Sequence, residues 1–168
     1  MIKKISQCLI VFSAFLMVVG IVQAAEFSST NNPAIYKQVV NLPMQKVYPA
    51  VYKALEDTRF YVVFEPDIGK NIARFAEKWG DDYNQNQLDS IRSMVFCNGW
   101  YANKVSNADP DMLALCPLRL GLYEKTGQTF IVFARPTFIA EKSQAHAVLL
   151  EIENAVIGAI RAATKKAQ

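Results

Sequence analysis

The sequence predicts an α+β fold: one antiparallel sheet in a two-layer arrangement, with helices on one face, in the order β-α-β-β-β-β-α with a helical insertion. Three observations lead there. Met44–Thr58 and Ala145–Lys165 carry apolar residues at helical spacing. Shorter runs of strand-forming residues separate them, and Leu118, Leu120 and Leu122 alternate with Arg119, Gly121 and Tyr123 in the pattern of a half-buried strand. Lys125–Gln128, with Gly127, then joins two such runs through a loop short enough for a hairpin, which makes the pairing antiparallel.

The chain opens on an export signal. Met1–Gln7 carries Lys3 and Lys4, Cys8–Val22 is almost wholly apolar, and Val22-Gln23-Ala24 offers a small-residue exit. Together these make residues 1–24 a secretory signal peptide. A membrane anchor fits less well, because the apolar run is shorter than the roughly 20 residues of a spanning helix. Cys8 leaves with the signal, and Ala25–Gln168 is expected to be periplasmic or secreted with no stable membrane span. Loss of Lys3 and Lys4 also lowers the formal net charge of +3 by two. No clustered basic face or nucleic-acid motif remains, so nucleic acid is not an expected partner. Lys165-Lys166 reads as a solvated helix end.

Residues 25–34 are polar and turn-prone and read as a flexible lead-in to a single domain over residues 35–168. Ile35–Val40 is the first strand. Met44, Val47, Tyr48, Val51, Tyr52 and Leu55 then form one apolar stripe, with Pro43 suited to the first turn. Pro49 is expected to kink this helix or delay its start. Phe60–Phe64 is continuously apolar and reads as a strand buried on both faces. Ile68–Lys78 can form a helix, and Gly80–Gln87 (GDDYNQNQ) is the most loop-like stretch and the one expected to be mobile. Ser90–Phe96 is the third strand, followed by a short helical passage to Asn107 and a further turn at Asp109–Ala114. After the strands Leu118–Glu124 and Thr129–Arg135, Ser143 reads as the N-cap of a last helix. Leu149, Ile152, Val156 and Ile160 face the core there, and Glu151 and Asn154 face water.

Several of these landmarks form a recognisable series: Phe60-Tyr61-Val62-Val63, Met94–Asn98 with its Cys-Asn, Asp109-Pro110, Ala114-Leu115-Cys116-Pro117 and the Lys125–Gln128 turn. With them the chain resembles, over about Ile35–Ala163, the bacterial family catalogued as domain of unknown function 302. The resemblance implies a TATA-binding-protein-like fold and brings no activity, cofactor or catalytic residue. The long polar Gly80–Gln87 stretch departs from the family's usual pattern.

Chemistry concentrates at Cys97 and Cys116. One ends the third strand and the other precedes the fourth, so antiparallel pairing brings the thiols together. In an oxidising compartment such a pair is expected to form a structural disulfide. The alternatives are thiol redox or sulfur-transfer chemistry, or soft-metal binding with His146 or a methionine. Trp100 and Tyr101 are possible ligand contacts beside the pair. His146, the only histidine, has no identified partner that would make it a general base. Asp81-Asp82 reads as a solvated loop, and Phe60, Tyr61 and Phe64, which could line an apolar pocket, read as core. Nucleophile-elbow, zinc-protease, phosphate-loop and dinucleotide signatures are absent from the sequence. The expectation is a non-enzymatic binding or accessory module, with no cofactor or resident metal, that engages a small ligand or an envelope protein.

Overall fold

The computed structural model describes residues 32–167; the expected signal peptide, residues 1–24, lies outside the described residues. The order is β1 (Ile35–Val40), α1 (Met44–Asp57), β2 (Tyr61–Phe64), α2 (Ile68–Ala73), α3 (Ala76–Trp79), β3 (Ser90–Cys97), α4 (Gly99–Ala108), β4 (Leu118–Lys125), β5 (Gln128–Ala134), α5 (Pro136–Ile139) and α6 (His146–Ala167). The strands make one five-stranded sheet in the order β1-β5-β4-β3-β2. Every pairing is antiparallel. The fold is therefore α+β, as the sequence implied. The tight β4–β5 hairpin turns on Thr126 and Gly127, both at positive φ (50° and 74°). That is the combination a two-residue hairpin loop requires.

The core lies between the sheet and the α1–α6 layer. Met44, Val47, Tyr48, Val51 and Leu55 are the buried face of α1. Leu149, Ile152, Val156 and Ile160 are buried on α6, while Glu151 and Asn154 are exposed. The sheet contributes Met94, Phe96, Leu118, Leu120, Leu122, Ile131 and Phe133. Phe96 is the hub, with Phe60 edge-on at 6.0 Å and Phe133 at 6.5 Å between ring centroids.

Two local expectations are corrected. The Phe60–Phe64 run is not buried on both faces: Tyr61, Val63 and Phe64 are 55%, 63% and 63% exposed, and only Phe60 is core. The reason is position, because β2 is the last strand of the sheet. A register shift between Val62 and Phe64 further distorts its pairing with β3. Pro49 does not delay α1, which begins at Met44 and runs through it. Pro49 and Gln45, whose carbonyl forgoes a helical partner, both lie on the exposed side, where water can serve that carbonyl. The Gly80–Gln87 stretch is internally tied. Gly80–Asp82 forms a 3-10 turn, and the Asn84 side chain both accepts from the Leu88 N–H and donates to the Leu88 carbonyl. Asn32–Ala34, the end of the lead-in, form a turn in which Asn32 accepts the Ala34 and Ile35 N–H groups.

Helix α1 ends in a Schellman motif. The Phe60 N–H donates to the Leu55 carbonyl and the Arg59 N–H to the Glu56 carbonyl, each at 2.9 Å. Leu55 and Phe60 supply the accompanying apolar contact from within the core. The residue in the left-handed conformation is Arg59, at φ 64°. Glycine usually sits there. A residue with a Cβ costs about 1 kcal/mol in that conformation.

Candidate functional site

One end of the sheet gathers most of the chemistry. Phe96 pairs with Leu118 across β3 and β4, so Cys97 and Cys116 arrive at the same end of that strand pair. Both are half-buried free thiols, and the bond expected from the sequence is not formed in this structure. Burial pushes the Cys116 thiol up from its ordinary value, and neighbouring Cys97 pushes it further. A thiol held up in this way is a poor nucleophile at neutral pH.

On the other side of β3, Cys97 pairs with Tyr61 of β2. The chain then turns through Asn98 into α4, where the Asn98 side-chain oxygen accepts the Tyr101 N–H at 3.1 Å. This cap sets the first turn of α4 against the α1–β2 corner. Between them is a cavity of about 400 Å³ lined by Thr58, Arg59, Tyr61, Asn98, Gly99, Trp100 and Tyr101. Trp100 is 68% exposed. Tyr101 is fixed instead, stacked on Phe60 at 5.8 Å with the rings 7° from parallel, and with Lys104 over its ring. Thus Trp100 and Tyr101, both singled out in the sequence, share one cavity beside the thiols. Tyr61 reads from the sequence as core in preference to pocket lining, and Arg59 carries its signal in backbone conformation, which the sequence does not display.

Other candidate residues are placed elsewhere. His146 opens α6, with Nδ1 3.1 Å from the Ala140 carbonyl. Among the described residues no group of three or more His, Cys, Asp or Glu side chains is placed to hold a metal, so His146 does not join the thiols. Asp81 and Asp82 are exposed in the 3-10 turn, where Asp82 accepts from Gln85. Asp109 has a structural task. Its carboxylate caps the Pro110–Leu115 3-10 turn and accepts the Ser143 hydroxyl, tying the α4 insertion to the approach to α6. A larger apolar groove of about 620 Å³ runs between α1 and α6, floored by Ala50, Ala54, Gly158, Ala159 and Ala162. Its Lys53 and Asp57 are bonded to each other at 2.7 Å, so they do not converge on a ligand.

A family model described as "Domain of unknown function DUF302" matches residues 36–166. The chain belongs to this family. Its fold is similar to the "Crystal structure of uncharacterized conserved protein DUF302 from Bacillus stearothermophilus", with a TM-score of 0.66 at 18% sequence identity. That match covers 77% of this DUF302 chain and 98% of the Bacillus chain. At such identity the likeness is one of fold. No curated protein matches. Among the described residues of this DUF302 protein, no helix is long and apolar enough to cross a membrane.

Proposed function

We propose that this DUF302 chain is an exported, non-enzymatic binding module: the cavity between the α1–β2 corner and α4 seats a small ligand, and Cys97 and Cys116 form a structural disulfide. The observation that carries this reading is the coincidence of the aromatic cavity and the thiol pair at one end of the sheet. Helix α4, which supplies Trp100 and Tyr101, lies between the two cysteines in sequence. A bridge would therefore close the loop that carries one wall of the cavity. On the chain-entropy account, closing a loop of this size stabilises by about 3 kcal/mol. The raised Cys116 thiol supports a structural role over a nucleophilic one.

The second reading is a redox couple, favoured by the presence of two adjacent unbonded thiols. Protein recovered from the native envelope separates the two when it is alkylated before reduction and weighed intact. The expected species starts at Ala25, takes up no label, and resists glutathione. Cys97→Ala should then lower stability by about 2–4 kcal/mol. Two labelled thiols would remove the bridge. Ready exchange with glutathione would transfer the pair to the redox reading, and retention of Met1–Ala24 would remove export.

A further inference from the structure

We infer that the cavity between the α1–β2 corner and α4 selects a planar anion, an aromatic ring bearing a carboxylate or similar acid, with Arg59 as its specificity-determining residue. The inference rests on the binding-module reading and specifies its ligand. The cavity's walls are aromatic and in large part uncovered, with Trp100 at 68% and Tyr61 at 55% exposure. Flat rings of this kind offer stacking surface to another ring. Arg59 is the one charged side chain among the cavity's lining residues. Among the described residues no hydrogen bond or ion pair engages its guanidinium, and the residue is exposed.

The neighbouring carboxylates are committed elsewhere. Glu56 accepts the Val62 N–H at 2.8 Å, and Asp57 is bonded to Lys53. An arriving acid therefore meets a guanidinium with no competing carboxylate on the cavity wall. Guanidinium geometry favours a two-oxygen acid through paired N–H donors. The first turn of α4 also presents the positive end of its helix dipole to the cavity, which adds to the preference without deciding it.

Backbone conformation gives a second, independent reason to single out Arg59. It occupies the left-handed position of a Schellman motif, where glycine would relieve strain. The chain has an arginine there, and no carboxylate among the described residues pairs with its charge. A strained residue retained against the local preference is a pointer to function.

The test is an NMR titration of the mature protein with 2-naphthoate and with its neutral isostere, 2-naphthamide. It follows the Trp100 indole N–H, with the Trp79 indole, stacked on Phe75, as internal reference. Naphthoate should move the Trp100 signal and bind about tenfold more tightly than the amide. Arg59→Gly should raise the melting midpoint by about 3 °C and reduce naphthoate affinity to that of naphthamide. Arg59→Lys should keep part of the preference. Equal binding of the two probes, or a preference that survives Arg59→Gly in a folded protein, would overturn the anion assignment and leave the cavity as a binding site. If neither probe moves Trp100, the cavity reading falls as well.

Discussion

Glu153→Ala is expected to lower stability by about 3 kcal/mol, because it strands the buried donors of Thr137 and takes the carboxylate away from half-exposed Arg135. Glu153 is 1% exposed on the core side of α6. It accepts the Arg135 Nε–H at 2.6 Å, together with both the N–H and the hydroxyl of Thr137. Thr137 is itself buried, so its donors would lose their acceptor without gaining free access to water. Burial works to raise the pKa of this carboxyl, but the bonds from Thr137 and Arg135 outweigh it and hold the group below its ordinary value of 4.5. The sign follows. The stabilisation is fully present above that value and fades as pH falls through the lower, folded-state pKa. Urea denaturation at neutral pH measures the loss. A pH series should show a flatter acid limb for Glu153→Gln than for the parent. A loss under about 1 kcal/mol for Glu153→Ala would mean that the network is worth no more than a surface pair.

Phe96→Ala should cost a similar amount, about 3–5 kcal/mol, by leaving a cavity that its rigid neighbours cannot fill. Phe96 is fully buried and touches aromatic rings from two different elements, Phe60 after α1 and Phe133 in β5. Collapse around the gap would have to move both. The same denaturation experiment reads this effect, and Phe96→Leu, which retains part of the volume, should lose less. Equal losses for the two variants would show that the site relaxes freely.

The elements with strong periodicity were legible from sequence. The α1 stripe, the Leu118–Leu122 alternation and the α6 face all pointed to their observed burial. That Cys97 and Cys116 reach the same end of the β3–β4 pair was legible too, because antiparallel pairing is a local geometric rule. Tyr61 and Phe64 mislead in sequence because an apolar run does not say whether its strand is central or at an edge. Strand order decides that, and β2 is placed last by contacts made far away in sequence. Glu153 leaves a trace in the sequence: it stands four residues after Leu149, on the apolar stripe itself. Its partners, Arg135 and Thr137, precede α6 and could be assigned only once α5 was placed. Another long-range tie was invisible. The Met44 N–H at the start of α1 donates to Glu124 of β4 at 2.8 Å, although Pro43 supplies no side-chain cap.

The place of β1 has a consequence for how the chain folds. Its register joins Ile35 to Ala134 and Val40 to Thr129, so the first strand finds its neighbour only after nearly all the intervening elements have been made. Pairings this distant in sequence are slow, since the loop must be closed before any contact rewards it. A chain emerging from its N-terminus therefore holds β1 as an unpaired ribbon while β3 and later β4 come into being. The β4–β5 hairpin, closed by a two-residue turn, is the natural early nucleus, and β1 is the strand that completes the sheet. Until then the far edge of β5 is an open template. A chain truncated within β1 would retain every other strand pair and leave that edge without its cover.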